Sequence, residues 1–134
     1  VRRAALLLPA LLAACAAPQP PCPDGTTQAT VAEAYFGQSR RDAPAITEGE
    51  WRDFLAATVT PAFPDGLTVL DGRGQWRRAD GTILSEASKV LVVVLPGADS
   101  AAARARLRPV EDSWKARFRH QSVLTVYRSA CVGF

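Results

Sequence analysis

The usual chemical signatures are scarce in this chain. It has a single histidine, His120, and no GxSxG elbow, P-loop, CxxC pair or HExxH helix. Those absences remove the familiar marks of acyl transfer, nucleotide hydrolysis, dithiol redox work and zinc proteolysis. No metal or cofactor is expected. Gly72-Arg73-Gly74 superficially suggests a dinucleotide loop, but it lies inside a strand pair and opens no helix. It reads instead as a bulge or a close backbone approach. Long apolar runs are also missing. Ala4–Leu12 and Val90–Leu95 are both too short to cross a bilayer as helices.

The first of those runs follows Arg2-Arg3 and precedes Leu12-Ala13-Ala14-Cys15. A positive start, a brief apolar stretch and small residues before a cleavage point describe an export signal over residues 1–14, with the leading valine read as an alternative start codon. Leu-Ala-Ala-Cys resembles the bacterial lipobox, which makes Cys15 the lipidated first residue of the mature protein. The competing reading is an ordinary signal peptide with an unrelated cysteine. Residues 15–28, rich in proline, then form an extended tether from a membrane anchor. Ala16 in the position after Cys15, where an aspartate would retain the protein, points by analogy with enteric sorting to the outer membrane, facing the periplasm.

With Cys15 taken by lipid, Cys22 and Cys131 remain as an even pair in an oxidising compartment. They are expected to form a disulfide, with two free thiols as the alternative. A bridge closing about 100 residues would add at most roughly 4–5 kcal/mol by chain entropy. Export also removes Arg2 and Arg3, which lowers the net charge from +3 to +1. The apparent basicity belongs mostly to the signal, and nucleic acid is not an expected partner.

Residues 29–134 read as one domain organised around a hairpin. Pro64-Asp65-Gly66 and Ala79-Asp80-Gly81 punctuate two strands. A three-residue loop with Gly81 in the left-handed position sets Trp76 opposite Leu84, Asp71 opposite Lys89 and Val69 opposite Leu91. A slip of one residue would break every pair. Val90–Leu95 is apolar on both faces, so it belongs in the middle of a sheet.

Thr30–Phe36 alternates as a first strand, with Val31, Glu33 and Tyr35 on one side. Thr47-Glu48-Gly49-Glu50 is a capping box opening a helix with Trp51, Phe54, Leu55 and Val59 on its buried stripe, limited by Pro61. A second helix, capped by Asp99 or Ser100, buries Ala103, Leu107, Val110, Trp114 and Phe118, and Pro109 on its outer side should kink it. Arg104, Arg108, Lys115 and Arg119 form its basic stripe, read as solvated, with anionic headgroups as the alternative contact. Ser122–Val132 is a last strand. Strand, helix, strand, strand, helix, strand, with an LTV strand closing each half, describes an α+β fold. It is the ferredoxin-like split βαβ, a four-stranded antiparallel sheet with both helices on one face.

Tyr35-Phe36-Gly37, Glu50-Trp51, FPDGLTVLDGRGQW at 63–76 and Glu86-x-Ser88-Lys89-Val90-Leu91-Val92 resemble a family of small exported bacterial proteins. Many of them are lipoproteins, grouped only as a domain of unknown function. The resemblance spans Tyr35 to Phe134, with Pro109 a departure from its pattern, and it implies no established activity.

The polar residues worth following are Asp71, Arg73, Glu86 and Lys89 at the open end of the hairpin, with Tyr35 and Trp76 beside them. The structural reading is ion pairing that sets the register. The functional reading is a small-molecule or peptide site, with Arg73 or Lys89 meeting an anion and Glu86 a polar group. The expected role is a non-catalytic binding or interaction module in the envelope, recognising an unknown envelope protein or small ligand. The alternative is a small enzyme using the sheet face of a ferredoxin-like dimer. An uncovered apolar sheet face makes a homodimer the expected form. His120, at a helix C-terminus, reads as a surface residue stabilised by the helix dipole.

Overall fold

The computed structural model describes residues 20–40 and 42–134. The stretch expected to be an export signal and Cys15 both lie outside them. Six principal elements follow in order: β1 (Thr27–Gly37), α1 (Glu48–Phe54), β2 (Thr68–Arg77), β3 (Ile83–Pro96), α2 (Ser100–Phe118) and β4 (Leu124–Val132). The strands form one antiparallel sheet in the order β2-β3-β1-β4. Each βαβ unit therefore sends its second strand to an edge and keeps its first strand inside, as the split βαβ pattern requires.

The hairpin register is the one that local turn chemistry predicts. Asp71 faces Lys89, Val69 faces Leu91 and Trp76 faces Leu84. Arg78 donates its N–H to Thr82 O at 2.9 Å, and Gly81 closes the loop at φ +86°, a conformation open to glycine without strain. At the other end, β1 begins at Thr27, earlier than its alternation suggested, because Thr27 and Gln28 pair with Val132 and Cys131 of β4.

Both helices lie on one face. Thr47 caps α1 by accepting from Glu50 N–H, and Glu50 reciprocates to Thr47 N–H at 2.9 Å. Past Phe54 the helix widens into a π-helical stretch, Leu55–Val59, before a last α turn, Thr60–Ala62. Pro61 explains the widening. It has no N–H for the carbonyl four residues back, and its ring crowds that carbonyl. The second helix runs through Pro109 without a break, since Pro109 sits on the exposed side. Asp99 caps it, accepting from Ala102 N–H at 2.7 Å.

The core between helices and sheet is aromatic. Trp114 stacks at 4.3 Å from Phe118, 4.9 Å from Phe36 and 5.0 Å from Phe54, with Trp51 at 5.7 Å. Leu91, Val93 and Leu95 of β3 meet this cluster from the sheet. Their neighbours Val90, Val92 and Val94 point the other way, to a face that no helix of the described residues covers.

Cys22 and Cys131 are bridged, with Cα atoms 5.6 Å apart and a sequence separation of 109. Among the described residues no helix is long and apolar enough to cross a membrane.

Candidate functional site

Strand parity decides where each candidate side chain goes. Asp71, Arg73 and Lys89 project toward the helix side of the sheet, whereas Tyr35, Trp76 and Glu86 belong to the open face. The six do not form one cluster.

On the helix side, Lys89 is nearly buried, and its ammonium lies 2.5 Å from Asp71 Oδ1 and 2.6 Å from Glu48 Oε2. The two carboxylates raise its pKa, chiefly through the hydrogen bonds its ammonium donates to Asp71 and Glu48. Glu48 belongs to the first turn of α1, so this triad fastens the hairpin to the helix layer. Arg73 lies beyond it, exposed, with no ion pair among the described residues.

The open face carries a different network. Tyr35 donates its hydroxyl to Glu33 Oε2 at 2.8 Å, and Arg128 of β4 pairs with the other oxygen of the same carboxylate. The bond to Glu33 and partial burial push the Tyr35 phenol up. Glu33 and Tyr35 share a face by simple alternation. Arg128 joins them only through the pairing of Val31 with Arg128 in the β1–β4 ladder. Around them are the aliphatics Val90, Val92 and Leu70.

Toward the hairpin tip this face is cut by a row without large side chains, Gly37, Ser88 and Gly72, followed by Gly74 opposite Glu86. Glu86 folds into that space. Its carboxylate accepts Ser39 N–H at 3.1 Å and lies where a Cβ on Gly37 would stand, 2.8 Å away. Half-exposed Trp76 and Leu84 close the far side of the row.

His120 is not the solvated, dipole-stabilised residue that its position predicts. Its ring packs 5.6 Å from Trp114. Burial pushes its pKa down, only partly offset by Glu86 and by the Ser39 backbone. His120 Nε2, Trp114 Nε1 and Arg40 Nε are buried without a protein partner. The signal that sequence reasoning missed is Trp114, two helical turns back, which the αL residue Arg119 lets the ring fold onto. Among the described residues no group of three or more His, Cys, Asp or Glu side chains could hold a metal ion.

No curated protein matches the chain. Among solved structures it is similar to a phage SAM lyase in complex with S-methyl-5'-thioadenosine, at TM-score 0.59 and 14% identity, covering 86% of this chain and 95% of that one. The same enzyme type in an apo state matches at TM-score 0.59 and 15% identity, over 82% and 91% of the two chains. At such identities the likeness concerns the fold. Residues 31–134 match the family described as protein of unknown function (DUF3574), which takes in the hairpin, both helices and all but the first residues of the sheet, and the chain belongs to that family.

Proposed function

We propose that this chain is the folded head of an envelope-anchored lipoprotein, held at the outer membrane through Cys15, and that it works as a binding module through the helix-free face of its sheet. The observation that carries this reading is the composition of that face. Leu70, Trp76, Val94 and Leu124 are exposed on it, and Val90 and Val92 lie between them with no helix of the described residues above. Exposed apolar side chains gathered on one sheet face are characteristic of an interface.

The occupant is a second copy, packed face to face about a two-fold axis. The charged groups of the face are already engaged within the chain: Glu33 with Arg128 and Tyr35, and Glu86 with Ser39 N–H. Two copies that meet over Glu33 and Arg128, away from Glu86, therefore strand no charge, the costly outcome at a buried interface. Sedimentation equilibrium of the full chain tests this, with a dimer expected at micromolar concentration and dissociation in Val92→Glu. A monomer at high micromolar concentration overturns it.

A second reading is a small-molecule site, or a small enzyme, on the same face. The side-chain-poor row at Gly37, Ser88 and Gly72, between Tyr35 and Trp76 and with Glu86 in it, supports this reading. The fold-level likeness to a lyase of SAM supports it as well. SAM and S-methyl-5'-thioadenosine are the first ligands to test by thermal shift. Stabilisation that disappears in Glu86→Gln would favour the site, and no shift with either ligand would remove that reading.

A further inference from the structure

The two edges of the sheet are not equally protected. The strand β2 interrupts its edge with Asp71-Gly72-Arg73-Gly74, the charges and glycines that discourage pairing. The strand β4, LTVYRSACV, has no proline, glycine or lysine, and its one charge, Arg128, is engaged with Glu33. Among the described residues no backbone hydrogen bond reaches its outer edge. Alternate N–H and C=O groups along nine residues are thus available for one more strand.

Beside that edge runs a groove of about 750 Å³ between β4 and α2. Its apolar part is formed by Ala101, Ala105 and Val123, and its rim by Arg104 and Arg108. Glu111 also lines it, but that carboxylate accepts Thr125 Oγ1–H at 2.7 Å and is shared with the Tyr127 hydroxyl. Arg104 has no carboxylate partner among the described residues. Arg108 has only a 3.8 Å contact with Asp112, which is held more closely by Lys115 at 2.7 Å.

We propose that the β4 edge and the α2 groove together bind an extended acidic peptide segment, which adds to the sheet as a fifth strand. The edge would supply main-chain hydrogen bonds. Alternate side chains of the added strand would point into the groove, where carboxylates meet Arg104 and Arg108. A second copy fits this edge poorly. Antiparallel pairing of β4 with β4 brings two like-charged α2 stripes to the same joint. This surface is separate from the helix-free face, so the two proposals stand or fall independently.

The probe is a labelled eight-residue peptide alternating threonine and glutamate, which places every glutamate on one side of an added strand. Its binding to the full chain is followed by fluorescence anisotropy and by amide exchange. The expected result is saturable binding with slowed exchange along residues 124–130. Affinity should fall at least about tenfold with glutamine in place of glutamate, and likewise in the Arg104→Glu/Arg108→Glu double variant. Arg52→Glu on α1 should leave it unchanged. Methylating alternate peptide nitrogens should abolish binding, because that removes the ladder and keeps the charge. The proposal is overturned by absence of binding, by equal affinity for the methylated peptide, or by indifference to the double variant. Self-association that protects residues 124–130 without any peptide would also overturn it, in favour of a second copy.

Discussion

Gly37 and Glu86 are fitted to one another across the end of β1: the carboxylate of Glu86 occupies the place a side chain at position 37 would need. The contact is with the far end of a flexible side chain, so Gly37→Ala is expected to displace Glu86 and leave the strand in place. The loss is then the hydrogen bond to Ser39 N–H, about 1 kcal/mol. Glu86→Ala removes both the bond and the obstruction, so the double variant should be no less stable than Glu86→Ala alone. Chemical denaturation of the three variants checks this. A double variant as destabilised as the sum of the singles would show that the backbone, and not Glu86, resists the methyl group.

The Lys89 triad predicts an ordering of effects. Asp71→Asn and Glu48→Gln each leave Lys89 one carboxylate, and both carboxylates are largely exposed, so each change should cost roughly 0–1 kcal/mol. Lys89→Ala loses both pairs and the aliphatic stem packed under α1, and should cost about 2 kcal/mol. The folded-state pKa of Lys89 is raised, so this contribution is complete below the ordinary 10.5 and disappears as pH rises through the folded value. Equal losses in Lys89→Ala and Asp71→Asn, read by urea unfolding at neutral pH, would refute the triad.

His120 should make the protein sensitive to mild acid. Its folded-state pKa lies below the ordinary 6.5, so the unfolded chain binds the proton more readily. Stability is then full above 6.5 and falls as pH drops through the folded value. The groups facing the ring are Glu86, which opposes the shift, and Arg40, which adds to it. Glu50 adds a loss of the same sign lower down, because its carboxyl is held at about 2 in the fold against its ordinary 4.5. The His120 contribution is read above the carboxylate range. Thermal melts of His120→Gln should therefore lose the slope expected of the native protein just below pH 6.5. An unchanged slope would mean that the ring is free to protonate in the folded state.

The residues that were legible in advance are those whose partners lie nearby in sequence. Counting back from Gly81 is enough to pair Asp71 with Lys89 and Trp76 with Leu84, because a tight turn fixes register. The helical period is enough to choose Trp51, Phe54, Trp114 and Phe118 for the core. Glu48 at Lys89 required the placement of α1 over β3, which no local rule supplies. The pairing of Glu33 with Arg128 spans 95 residues and depends on the β1–β4 register. His120 was misplaced because a helix C-terminus suggests solvent, whereas the left-handed Arg119 turns the chain back over Trp114. The division of the candidate residues, with Asp71, Arg73 and Lys89 on one face and Trp76 and Glu86 on the other, follows from the hairpin register and the pleat, and was legible too.

The bridge from Cys22 to Cys131 also gives the molecule a mechanical polarity. It joins the segment before β1 to the end of β4, beside the first rung of the β1–β4 ladder, Thr27 with Val132. A pull arriving along the N-terminal segment is shared by two neighbouring strands before it reaches a single hydrogen bond, so β1 cannot be peeled from β4 rung by rung. The turn at Ala79-Asp80-Gly81 stands at the opposite end of the sheet, at the far end of β3, roughly 45 Å away at about 3.3 Å per strand residue. One end of the domain is clamped covalently against tension, and the other is held by the β2–β3 ladder alone.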